Sequence, residues 1–125
     1  MTPANSAIVH GYIGLLQDLD DAGAFEPNEL DEFGMLPLSW AVIENRFELV
    51  RALVELGADV NSADKFGYTP TLYAATVDHG DTQILEFLID KGADVTVKSK
   101  EGYTAASNAR KFGYPDILRI LEAAE

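Results

Sequence analysis

At 125 residues the chain is one domain by length, and its 47% apolar content is that of an ordinary globular protein with a continuous core. The absence of cysteine excludes disulfides, Cys-ligated zinc and thiol catalysis. A net charge of −12 argues against nucleic acid, whose binders neutralise phosphates with Lys and Arg, and against anionic membrane surfaces.

Met1 to His10 carry no Lys or Arg and no long apolar run, so no secretory signal is expected there. No later segment approaches the roughly 20 apolar residues of a membrane span, and the expected location is the cytoplasm. The first predicted helix pair opens at Thr2-Pro3, turns at Gly11, continues through Leu15, Leu16 and Leu19, and stops at Gly23. Asp18, Asp20, Gly23 and Glu29 fall where a calcium loop would have ligands and its glycine, but Ala22 occupies the fifth position. These acids therefore read better as a solvated helix face.

The second pair follows Gly34. Pro37 suits a first helical turn, Ala41 gives a close helix contact, and the chain turns at Asn45-Arg46. Leu49, Val50, Leu53 and Val54 then form an apolar stripe at helical spacing that ends at the cap Gly57. Leu36 stands where a capping Thr is expected, at a cost of about 1 kcal/mol. The third pair follows Gly67, with Thr69 as cap, Pro70 at the helix start and Ala74-Ala75 on the helix. Its turn, around Val77-Asp78-His79-Gly80, holds two extra residues. The stripe Ile84, Leu85, Leu88 and Ile89 then leads to Gly92. The fourth pair follows Gly102, with Thr104, Ala109, Gly113, Ile117, Leu118 and Leu121.

These elements are copies of one unit. Gly57-Ala58-Asp59-Val60-Asn61 returns as Gly92-Ala93-Asp94-Val95-Thr96, and a worn copy starts at Gly23-Ala24. Self-similarity with a period near 33 residues means a stacked-repeat architecture. Units at about 1–30, 31–63, 64–98 and 99–125 fill the chain. Arg110 follows Ile8, Val42 and Ala75, and Glu122 follows Val54 and Ile89, with Asp20 breaking the pattern in the first unit; polar residues there suit a terminal unit, so a complete four-repeat array is expected.

The pattern resembles the ankyrin repeat. Gly67-Tyr68-Thr69-Pro70, Ala74-Ala75 and Gly57-Ala58-Asp59-Val60-Asn61 match that family's motif residue by residue. The resemblance implies an all-α solenoid of helix pairs joined by β-turn tips. It also implies a protein–protein interaction module, with no enzyme activity and no cofactor. The family's His after Pro-Leu is missing, replaced by Asn5, Ser39, Leu72 and Ser107, so its hydrogen bonds between turns are expected to be weaker.

In such arrays the tips and the ends of the first helices line a concave groove. The resemblance assigns to it Glu32, Phe33 and Met35, then Lys65, Phe66 and Tyr68, then Tyr103. The helix-end positions hold Ile43, Val77, His79 and Phe112. Stacking should align Phe33 with Phe66, and Met35 with Tyr68 and Tyr103, as two short apolar rows. Trp40 and Tyr73 are expected to be half-buried. His10 and His79 fall in corresponding turns and read as turn residues, so no metal site is expected.

The expected partner of a monomeric chain is a protein. An adaptor would hold it through the apolar rows. Alternatively, the acidic balance suits an inhibitor or immunity-type protein that masks a basic protein. Residues 1–97 hold seventeen acids and four bases, whereas residues 98–125 hold four acids and five bases.

Overall fold

The computed structural model describes residue 23 and residues 26–76 and 82–125. Within them the chain forms six helices: α1 (Pro37–Ile43), α2 (Phe47–Glu55), α3 (Pro70–Thr76), α4 (Gln83–Asp90), α5 (Ala105–Phe112) and α6 (Pro115–Ala124). These are the second, third and fourth expected pairs. Most of the first, including His10 and the acids from Asp18 to Asp21, lies outside the described residues, as does the turn holding Val77 and His79. The helix α3 packs between α1 and α5, and α4 packs between α2 and α6. The first helices of the pairs thus make one layer and the second helices another.

Each first helix starts by a different means. Pro37 opens α1 behind Leu36, whose side chain makes no capping hydrogen bond. Leu36 is buried. Burying a leucine is worth about 1.5–3 kcal/mol, which offsets the missing cap of about 1 kcal/mol. At α3, Thr69 Oγ1 accepts from the Leu72 N–H at 3.3 Å. At α5, Thr104 Oγ1 accepts from the Ser107 N–H at 3.0 Å, and Ser107 Oγ accepts from the Thr104 N–H at 2.9 Å. This reciprocal pair satisfies two backbone donors that the helix itself leaves free.

The apolar stripes face inward as their spacing predicts. Leu38, Val42, Leu49, Val50 and Leu53 of the first described pair meet Ile84 and Leu88 of α4. Leu72, Ala75, Ala105, Ala109, Ile117 and Leu121 meet Leu85, also of α4. So α4 serves two cores at once. Arg110 and Glu122, at the matched positions of the last unit, are exposed.

The loops between units are clipped by asparagine. Asn61 Nδ2 donates to the Gly92 carbonyl at 3.2 Å, and its Oδ1 accepts from the Asp94 N–H at 2.7 Å. Asn28 does the same to Gly57 and Asp59, at 3.1 and 2.8 Å. The Asn of the repeated phrase is therefore a two-point clamp on the next copy of that phrase. Thr96 holds this position one unit later, and its hydroxyl turns back to Asp94 at 2.6 Å.

Two buried hydroxyls, Ser39 Oγ on α1 and Thr71 Oγ1 on α3, have no hydrogen-bond partner. Ser39 occupies the position of the missing histidine. Ser39→Ala and Thr71→Val should each raise stability by about 1 kcal/mol, because each removes a desolvated hydroxyl that gains nothing in return. Urea denaturation read by circular dichroism checks this, with a higher midpoint and unchanged slope as the expected result.

Candidate partner-binding surface

Each tip is closed by the same two backbone hydrogen bonds. The Asp31 N–H donates to the Met35 carbonyl at 2.8 Å and the Gly34 N–H to the Asp31 carbonyl at 3.0 Å. Asp64, Gly67 and Tyr68 repeat this at 3.0 and 3.0 Å, and Ser99, Gly102 and Tyr103 at 2.8 and 3.0 Å. The turn places Gly34, Gly67 and Gly102 at φ of +74°, +77° and +88°, a left-handed conformation that favours glycine. Neighbouring tips are joined in turn. The Lys65 N–H donates to the Gly34 carbonyl at 3.0 Å, and the Lys100 N–H to the Phe66 carbonyl at 3.3 Å.

A carboxylate organises two of the tips from within. Asp31 Oδ1 accepts from the Phe33 and Met35 N–H groups at 2.8 and 2.9 Å, and Oδ2 accepts from Trp40 Nε1 at 2.8 Å. Asp64 Oδ1 accepts from the Phe66 and Tyr68 N–H groups at 2.8 and 3.1 Å, and Oδ2 accepts from the Tyr73 hydroxyl. Burial works against ionisation of Asp31, but the Met35 N–H, the Trp40 indole and the Phe33 N–H outweigh it and hold its pKa below the ordinary value. Burial, and then the hydrogen bond donated to Asp64, push the Tyr73 phenol above its ordinary value. Ser99 takes the acid's place in the third tip, accepting from the Tyr103 N–H at 3.2 Å.

Sequence reasoning missed this device. Its signal is an Asp nine residues before an aromatic donor, present twice in register as Asp31/Trp40 and Asp64/Tyr73. Both aromatics are half-buried, as expected.

The first apolar row is exposed. Phe33 and Phe66 show 52% and 49% of their surface to solvent, on tips joined by hydrogen bonds. Glu32 and Lys65 beside them are exposed as well. The stem of Lys65 crosses Gly34, where an added Cβ would lie 2.2 Å from its Cδ, and its ammonium sits 5.0 Å from the centre of the Phe66 ring.

The second row needs correcting. Met35 is buried, 7% exposed, with its Sδ 3.5 Å from the Tyr73 hydroxyl of the next unit. Tyr68 is half-buried. Its ring centre lies 5.0 Å from that of Tyr73, and its hydroxyl accepts from Asn108 Nδ2 of the next unit at 3.4 Å. Both residues are covered from the following unit, so this row buttresses the tips.

Only Tyr103 of that row opens to solvent, 38% exposed, where Phe112 is also 48% exposed. The Lys111 ammonium stands between them, 5.7 Å from the Tyr103 ring centre and 5.6 Å from that of Phe112. Phe112 stacks on Tyr114 with centres 6.0 Å apart. Ile43, at the end of α1, is half-buried. Leu30, 44% exposed just before the first described tip, was not singled out by the sequence pattern.

Among the described residues, no three His, Cys, Asp or Glu side chains come together as a metal site would require. Nor is any described helix long and apolar enough to cross a membrane.

Comparison with known proteins agrees with this architecture. A family model described as ankyrin repeats in three copies matches residues 4–99 and, overlapping, 38–124. The chain is 40% identical over 52 residues to palmitoyltransferase akr1 of Emericella nidulans, covering 42% of this chain and 7% of that protein. It is equally similar to the palmitoyltransferase akr1 of Aspergillus oryzae, 40% over 52 residues, with the same coverage. It is 37% identical over 60 residues to human inversin, covering 48% of this chain and 6% of that protein. The chain thus spans less than a tenth of the length of these relatives, and what it shares with the palmitoyltransferases is confined to the repeats. By its motifs, its stacked helix pairs and these matches the chain belongs to the ankyrin-repeat family, whose repeats are in general protein–protein interaction modules.

Proposed function

We propose that this chain is a non-enzymatic adaptor that binds a protein partner across its tips and first-helix ends, as a monomer in the cytoplasm and without a cofactor. The contact residues are Glu32, Phe33, Ile43, Lys65, Phe66, Tyr103 and Phe112. The sequence register adds Val77 and His79, which lie outside the described residues. Met35 and Tyr68 support it from beneath.

The observation that carries this reading is the pair Phe33 and Phe66. Each shows about half its surface to solvent. The backbone N–H of each donates to an aspartate of its turn. Exposed aromatics on an ordered turn are frequent interface hot spots.

The test is affinity capture from a lysate by the chain and by a Phe33→Ser/Phe66→Ser variant, followed by titration of the captured protein. The variant should bind about tenfold or more weakly with unchanged helicity. Equal binding by the two proteins would overturn the reading. Tyr68 is left intact because its replacement would disturb Tyr73 and Asn108.

The net charge of −12 favours a second reading, the acidic inhibitor of a basic protein. Binding would then fall steeply with salt and ignore the two phenylalanines.

A further inference from the structure

The fourth unit differs in charge from the rest of the chain. Residues 1–97 carry a net −13 and residues 98–125 a net +1. Among the described residues the ion pairs are Arg46–Glu44, Arg51–Glu48 and Arg119–Asp116. All of them use arginine and none uses a lysine. Three lysines instead lie over aromatic rings: Lys65 on Phe66, Lys91 on Phe87, and Lys111 between Tyr103 and Phe112.

Two of these lysines belong to the tip surface, and the contacts between them form one path. Lys65 sits on Phe66, the Phe66 carbonyl accepts from the Lys100 N–H, and Lys100 shares its tip with Tyr103. Tyr103 meets Lys111, and Lys111 meets Phe112 at the end of α5. Lys65, Lys100 and Lys111 are all exposed. Glu101 is the acid on the same tip.

We infer that the strip formed by Lys65, Phe66, Lys100, Tyr103, Lys111 and Phe112 binds an acidic segment of the partner, one that alternates carboxylates with apolar side chains. This rests on the proposed function and names the chemistry of what that surface takes. The reason is charge complementarity. An ammonium resting on a ring keeps N–H donors toward solvent, and among the described residues no carboxylate pairs with Lys65, Lys100 or Lys111. An incoming carboxylate supplies the missing acceptor, and the ring beneath covers an apolar neighbour. Screening at physiological salt, with a Debye length of about 8 Å, weakens the repulsion from acids that lie farther off than that.

The test uses a phage-displayed library of random 16-residue peptides selected on the whole chain. The peptides are then titrated against a Lys65→Gln/Lys100→Gln/Lys111→Gln variant and against Phe33→Ser/Phe66→Ser. Circular dichroism verifies that both variants keep their helicity. The expected pool is rich in Asp and Glu interspersed with apolar residues. Its members should bind the triple-lysine variant at least tenfold more weakly, and exchanging their Glu for Gln should produce a similar loss. A pool rich in Lys and Arg overturns the inference, as do acidic peptides that the lysine variant holds equally well. Peptides that depend on the phenylalanines but not on the lysines overturn this inference and leave the adaptor reading in place. A pool indifferent to both variants overturns both.

Discussion

Leu88→Ala should destabilise the chain by about 2–5 kcal/mol, the range for a leucine cut back to alanine inside a packed core. Leu88 is 0% exposed and lies on α4, the helix that serves both cores. It packs with Leu49, Val50 and Leu53 on one side of the array, while its neighbour Leu85 packs with Ile117 and Leu121 on the other. A cavity there loosens contacts between units as well as within one. Ile89, half-buried one position along the same helix, is the control, and Ile89→Ala should cost less. Urea denaturation followed by far-ultraviolet circular dichroism reads both. An unchanged midpoint for Leu88→Ala would mean that α4 does not hold the cores together.

Gly67→Ala should cost about 2–4 kcal/mol, from two sources that three glycines at one repeat position separate. All three adopt positive φ, so alanine at any of them carries a left-handed backbone cost of about 1–2 kcal/mol. Their surroundings differ. A Cβ at Gly102 meets nothing within 4 Å. At Gly34 it meets Cδ and Cγ of Lys65, which a new rotamer can move, and its Cβ at 3.0 Å, which only a backbone shift can. At Gly67 it lies 2.7 Å from the backbone nitrogen of Lys100, so the tips must part and the hydrogen bond from that nitrogen to the Phe66 carbonyl is lost. Gly67→Ala should therefore be the most damaging of the three, Gly102→Ala the least, and Gly34→Ala between them. Three equal losses in thermal unfolding would show that the close approach of the tips contributes nothing beyond backbone strain.

The layers of this fold are legible in the sequence because the repeat states each rule several times. Leu49, Leu53, Ile84, Leu88, Ile117 and Leu121 recur at helical spacing in matched positions, and all are buried. Exposure at the tips is less legible, because it depends on what the next unit places there. Met35, Tyr68 and Tyr103 hold one register position and have three different environments. Tyr73 covers Met35, Asn108 reaches Tyr68, and Tyr103 has Lys111 from its own unit. Aligning the units with one another shows which residues correspond but not which residue of the following unit faces each of them. The Asp31/Trp40 and Asp64/Tyr73 pairs went unread for a related reason. Each acid lies in a tip and its aromatic partner in a helix, two elements that the pattern treats separately.

The asparagine clamps make the loop joints interchangeable. Asn28 grips the Gly57 phrase and Asn61 grips the Gly92 phrase through the same two atoms, and each is followed three residues later by the aspartate that opens the next tip. Excising residues 31–63 would join Leu30 to Asp64 and present Asn28 to Gly92 and Asp94 with the offset that Asn61 has now. Both of these joints use the same grip, so the loops resemble links of one gauge, while the helices at a new junction must repack, because Ile84 and Leu88 now rest on Leu38, Leu49 and Leu53. Lengthening or shortening the strip of tips by recombination between copies would then keep the loop joint unchanged and leave only the side chains that meet between helices to be refitted.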